Sequence, residues 1–189
     1  MTGLYALILA AGSGSRFGGG KLMAPWRDGV LIDGAIEAAR ASPAEAILGV
    51  VGADAQVARY LASRDIRTVM AKDHALGLSA SLKAGVAALP STATGALIFL
   101  GDMPLTPRPV LAPLAQALAD GAPAAAPVFG GRLGHPVALS AQLFPQVMAL
   151  QGDRGARALL EALGEALVRI CAPDDGVLLD VDRPDQLPA

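Results

Sequence analysis

Arg16 and Lys21 are two cations in a loop made mostly of glycine. Five of the nine positions from 12 to 20 are glycine: Gly12, Gly14, Gly18, Gly19 and Gly20. Arg16 stands among them and Lys21 closes the run. Glycine lets the backbone take positive φ and brings its N–H groups close to a ligand. Successive N–H groups in such a turn form a concavity that binds anions. With two side-chain cations on the same loop, the chemistry this stretch suits is the cradling of a polyphosphate. A glycine-rich turn carrying two solvated charges is the plainer alternative.

Spacing separates the phosphate loops that this segment could form. A P-loop requires G-x-x-x-x-G-K-[ST], but Ser15 stands where the first glycine belongs and Leu22 follows Lys21. A dinucleotide fingerprint requires G-x-G-x-x-G, but Phe17 replaces the third glycine, and no acidic residue ends a second strand about twenty residues on. A third pattern, L-A-A-G-x-x-x-R-x-G-x-x-K, is met at Leu9, Ala10, Ala11, Gly12, Arg16, Gly18 and Lys21. It resembles the loop on which nucleotidyltransferases load a nucleoside triphosphate.

A carboxylate is the complementary group. Asp102 follows the apolar run Ala96–Leu100 in Gly101-Asp102-Met103-Pro104. Beside a polyphosphate, such a carboxylate can hold a Mg²⁺ that bridges phosphate oxygens. By itself Asp102 is equally a turn former ahead of Pro107; the glycine loop tips the reading toward metal.

The elements that must bring these groups together alternate. Leu4–Ala10 is a continuous apolar run suited to a strand buried on both faces. Helices are expected at 31–41, 55–62, 79–89, 107–119, 142–149 and 153–163. Strands are expected at 46–51, 66–70, 96–100, 123–128, 136–139, 166–170 and 177–179, with a turn at Trp26-Arg27-Asp28-Gly29. Strands alternating with helices predict an α/β fold: one three-layer, doubly wound domain over 1–189 with a mostly parallel sheet. Ligands of such sheets lie beyond the carboxyl ends of the strands, where the glycine loop and Asp102 both emerge.

Composition narrows the class. The 189 residues are 53% apolar and 4% aromatic, with a net charge of −2 and no basic block, so nucleic acid is not an expected partner. Mean hydropathy is +0.47, yet no apolar run approaches the roughly 18 residues of a membrane span. Met1-Thr2-Gly3 lacks a basic leader, so no signal peptide is expected. The single cysteine, Cys171, agrees with a reducing cytoplasm. Cys171, His74 and Trp26 read as structural, and no Cys/His spacing suggests zinc.

Four segments together resemble the molybdenum cofactor cytidylyltransferase family: the first loop; G-L-S-A-S-L-K-A-G from Gly77; G-D-M-P; and G-H-P-V from Gly134 with G-D-R-G-A-R-A-L-L from Gly152. The closing L-L-D-V-D-R-P-D-Q-L adds to them. The resemblance implies a nucleotidyltransferase that uses CTP and Mg²⁺ and acts on a molybdopterin-type cofactor, with a receiving molybdoenzyme as a further partner. Related guanylyltransferases read L-A-G-G where this chain has Ala11, which favours CTP by resemblance. Nucleotide binding falls on Leu9, Ala10, Ala11, Gly12, Gly14, Ser15, Arg16 and Lys21, and on Gly77, Ser79 and Ser81 at a helix start. Either serine could instead be an ordinary cap. Relatives often carry Asn where this chain has Ala71. Acceptor binding falls on His135, Arg154 and Arg157. His135 has a turn role as its alternative, and Arg157 a surface pair with Glu161, four residues on. Arg16, Lys21 and Asp102 form the reacting centre. In relatives a second metal ligand stands near the end of the chain. Here that is Asp182, with Asp180 on the same face if 177–182 is extended. A transferase with GTP, ATP or another acceptor, or a cofactor-holding chaperone, fits the same residues; an NAD(P) redox enzyme fits them less well.

Overall fold

The computed structural model describes residues 3–12, 17–74, 77–151 and 156–187. In chain order the elements are β1 (Leu4–Ala10), β2 (Pro25–Trp26), β3 (Gly29–Val30), α1 (Ile32–Ala41), β4 (Ala46–Val51), α2 (Ala55–Ser63), β5 (Arg67–Met70) and α3 (Leu78–Ala87). They continue with β6 (Gly95–Leu100), α4 (Leu111–Ala119), β7 (Ala124–Phe129), β8 (Arg132–Leu133), β9 (Val137–Ser140), α5 (Phe144–Ala149), α6 (Arg157–Ala162) and β10 (Leu167–Cys171). The main sheet runs β10-β7-β9-β6-β1-β4-β5, with β8 beside β7. The pairs of β1 with β4 and β6, of β4 with β5 and of β7 with β10 are parallel. β9 runs against both of its neighbours, and β8 against β7. The expected mostly parallel α/β architecture is the one found.

The central strands are apolar throughout because both faces are covered. Along β1, Leu4, Ala6, Ile8 and Ala10 join a core with α1, α2 and α4. The alternating Leu7 and Leu9 join a second core with α3, α5 and α6. Side chains alternate across a strand, so one heptapeptide serves two layers. A buried carboxylate ties the first layer together. Asp33 on α1 accepts from the Tyr60 hydroxyl (2.7 and 2.8 Å), from Arg64 (2.8 Å) and from the Val30 N–H (3.0 Å).

Some sequence expectations require correction. Val177–Leu179 is not a strand: a 3-10 turn spans Asp175–Val177. The Asp174 side chain accepts from the Gly176 N–H at 2.9 Å, and Leu178 N–H bonds to Asp175 O at 2.7 Å, so turn chemistry overrides the apolar run. The helix expected at 107–119 starts as a 3-10 turn, Arg108–Val110, before α4, and that expected at 142–149 starts as Ala141–Leu143 before α5. Both carry proline in their first turns, Pro109 and Pro145, where an intrahelical N–H is not yet needed. The start expected at Asp153 lies outside the described residues.

Two close approaches place the loop after β6. A Cβ on Gly34 of α1 would collide with the Pro104 backbone, and one on Gly176 with the Leu105 carbonyl. The loop carrying Asp102 is therefore held between α1 and the 174–178 turn. Alanine in a helix is ordinarily favoured over glycine by about 1 kcal/mol. Gly34→Ala is nevertheless expected to lower the urea midpoint, because overpacking of this kind costs about 1–3 kcal/mol. A raised midpoint would show that the contact is not tight.

Candidate active site

The loops after β1, β4, β5 and β6 open on one end of the sheet and enclose a cavity of about 730 Å³. Leu9, Ala10, Ala11, Gly12, Lys21, Gly77, Ser81 and Asp102, all expected from the sequence, line it. Gly14, Ser15, Arg16 and Arg154 lie outside the described residues. A cavity of this size is in the range of small-molecule sites, about 300–1,000 Å³.

Lys21 is the electrostatic centre. Its residue is only 9% exposed, and Nζ lies 2.7 Å from Asp102 Oδ2 and 3.1 Å from Asp182 Oδ1. Burial alone would lower its pKa, but attraction and hydrogen bonding to Asp102 and Asp182 outweigh burial and raise it above the usual 10.5. The ammonium is thus charged at any physiological pH. The part of the ion pairs' contribution that depends on the lysine's charge is full below 10.5 and is lost as pH rises past the raised value.

The two carboxylates are placed through the main chain. Val181 N–H donates to the Asp102 carbonyl at 3.0 Å, which sets the C-terminal segment beside the β6 loop. Val181 is fully buried against Trp26 and Leu31, so Trp26, with Arg27 stacked 4.3 Å above its ring, anchors the segment. The Gln186 carboxamide accepts from both the Asp182 and Arg183 N–H groups at 2.8 Å. Asp182 reaches Lys21 from this turn and not from a strand; the shared-face argument linking Asp180 to Asp182 fails with the strand it assumed. Two carboxylates converging on one cation are a donor set that fits Mg²⁺, which takes one or two protein carboxylates and completes its shell with phosphate and water.

The two serines of α3 divide. Ser81 lines the cavity. Ser79 does not: it borders a second hollow beside Lys72, Lys83 and Met148. Residues two apart on a helix do not share a face, so the sequence motif could not bring both to one ligand. His74, read as structural, is a cavity residue. Its Nδ1 lies 3.0 Å from the Ala71 carbonyl; a carbonyl only accepts, so Nδ1 carries the proton. Gly52, Ala53 and Asp54 also line the cavity. Their signal was present in the sequence, since they follow a strand's carboxyl end, and Asp54 also caps α2 through the Gln56 N–H at 2.8 Å.

Of the acceptor candidates, His135 and Arg157 are not among the residues that line this cavity. His135 is half-buried, donates its N–H to the Val177 carbonyl (2.8 Å) and sets Nδ1 3.4 Å from the Ile98 carbonyl. Burial pushes its pKa below 6.5, against the Ile98 carbonyl and the charges of Asp102 and Asp180, which raise it. Arg157 is exposed and pairs with Glu161 at 2.9 Å, a surface pair worth about 0–1 kcal/mol. Cys171 is exposed at the end of β10.

Comparison with known proteins bears on the family and the fold. The model of the MobA-like NTP transferase domain matches residues 6–167. The chain is 29% identical to the molybdenum cofactor cytidylyltransferase of Escherichia coli (strain K12) over 187 residues, 98% of this chain and 94% of the relative. It is 30% identical to the nicotine blue oxidoreductase of Paenarthrobacter nicotinovorans over 190 residues, 96% of this chain and 93% of the relative. The crystal structure of Rv0371c from Mycobacterium tuberculosis superposes with a TM-score of 0.86 at 26% identity, covering 98% of this chain and 95% of that one.

The depressed pKa of His135 gives a pH test. A histidine that titrates lower in the folded state contributes stability that is present above pH 6.5 and lost as pH falls through its folded value. Denaturant midpoints of the parent and of His135→Gln are expected to differ most above pH 6.5 and to converge on acidification. A gap that stays constant with pH would contradict the assignment.

Proposed function

The chain belongs to the MobA-like NTP transferase family, and on that premise we propose that it transfers CMP from CTP to the terminal phosphate of a molybdopterin-type cofactor, releasing pyrophosphate. The meeting of Lys21 with Asp102 and Asp182 beside the glycine-loop cavity supports this reading most. The likeness to the cytidylyltransferase over 98% of the chain favours CTP and this acceptor, and Ala11 in the first loop agrees with it. No helix among the described residues is long and apolar enough to cross a membrane.

In the proposed reaction the triphosphate lies along Leu9–Gly12 and Gly20–Lys21, with Arg16 joining from the same loop. An oxygen of the acceptor phosphate forms a bond to the α-phosphorus. The bond from that phosphorus to the bridging oxygen breaks, and pyrophosphate leaves with the electron pair. The acceptor phosphate is already ionised, so no strong general base is required. The work of the protein is to align two anions and to neutralise them. Asp102 and Asp182 would hold Mg²⁺, whose positive charge offsets that of the phosphate oxygens. Ser81 and His74, which line the same cavity, are further candidates to contact the nucleotide. His135, Arg154 and Arg157 remain acceptor-side residues in this proposal.

Pyrophosphate release with Mg²⁺ and molybdenum cofactor, compared across CTP, GTP and ATP, tests it. Release with CTP is expected to exceed the others at least tenfold. Preference for another nucleotide would overturn the base assignment. Tight triphosphate binding with no release would favour a cofactor-holding protein.

A further inference from the structure

The ammonium of Lys21 lies between the two carboxylates expected to bind metal. A divalent ion takes carboxylate oxygens at about 2.0–2.1 Å if it is Mg²⁺. With Nζ at 2.7 and 3.1 Å from one oxygen of each carboxylate, ion and ammonium would be near neighbours of like sign. The two cations cannot share this seat in a partly dry pocket, where such repulsion is poorly screened.

The backbone at both carboxylates is tied down, whereas the backbone that leads into the lysine is glycine. Asp102 and Asp182 are tied through the Val181 N–H to the Asp102 carbonyl and through Gln186. Lys21 follows three consecutive glycines with positive φ, 88° at Gly18, 95° at Gly19 and 63° at Gly20. Among the described residues, and chain neighbours aside, nothing lies within 4 Å of where a Cβ would stand on any of the three. Lys21 then opens a single 3-10 turn, Lys21–Met23. A four-carbon stem behind an unobstructed glycine hinge can carry the ammonium elsewhere. The cavity offers the destination. Gly12, Gly20, Lys21 and Asp102 line it together, so phosphates lying there come within reach of the same ammonium. Among the described residues, no group of three or more His, Cys, Asp or Glu makes a metal site by itself. Two carboxylates leave most of the shell of such an ion to water and to phosphate oxygens of the ligand.

We infer that Lys21 occupies the metal seat of the nucleotide-free protein and is drawn off Asp102 and Asp182 by the incoming triphosphate, so that the divalent ion binds with or after the nucleotide and not before it. Lys21 thus has two positions, one neutralising the empty acidic pair and one neutralising phosphate. The inference rests on Asp102 and Asp182 being the metal ligands. It makes the glycines after position 17 a hinge as well as part of a cradle.

Mn²⁺ is the probe, and its free signal in electron paramagnetic resonance reports binding without any turnover. In the full chain without nucleotide, Lys21→Gln is expected to bind Mn²⁺ at least tenfold more tightly than the parent, and Asp102→Asn added to it should remove the gain. Equal affinity in parent and Lys21→Gln overturns the inference. A second measurement needs no substitution of the lysine, in case that variant folds poorly. In crystals of the parent, Mn²⁺ anomalous density at Asp102 is expected only when a non-hydrolysable CTP analogue is also bound. Density there without the analogue overturns the inference and leaves the metal ligands as assigned. Mn²⁺ binding with the analogue that is unchanged by Asp102→Asn overturns the ligand assignment, and the inference with it.

Discussion

One ammonium joins three points of the chain that are 81 and 161 residues apart. Lys21 meets Asp102 and Asp182, and the fold brings these three distant points to one place. Removing one partner of a buried ion pair costs about 3–5 kcal/mol. Here the lysine side chain is 10% exposed and its partners 28% and 36%, so the cost is smaller. The geometry is instead over-determined by the backbone. β1 delivers the glycine loop, β6 delivers Asp102, and the Val181 N–H on the Asp102 carbonyl brings in Asp182. Parallel pairing of β1 with β6 makes the first two emerge at the same sheet end.

The same logic explains the placement of the cavity. Four strand ends supply its walls, and α2 and α3 turn their first residues toward it. The two cores lie on opposite faces of the sheet and leave this end to loops. Polar and small residues there are free of packing duties that would otherwise fix their identity.

Much of this was legible in the sequence. The bounds of β1 and β4 match expectation residue for residue, because continuous apolar runs bounded by Gly or Pro and Ser leave little choice. Lys21 and Asp102 were readable from strand-end position. Asp182 was reached through a resemblance, and its expected strand proved to be a turn: Asp174 and Gly176 carry a turn signal that the apolar run after them masked. Ser79 and Ser81 illustrate a different limit. A motif names both, but helical geometry sends them to separate hollows. His74 has no local pattern to mark it; only the path of the chain after β5 brings it to the cavity.

Turnover of Asp102→Asn and Lys21→Ala, with folding confirmed by circular dichroism, tests the claim that Lys21 and Asp102 belong to the reacting centre. Each is expected to lower kcat/KM by about 10²–10³, the loss typical of removing one group that stabilises transition-state charge. Turnover within a few-fold of the parent in either variant would contradict the assignment and move the chemistry away from this end of the sheet.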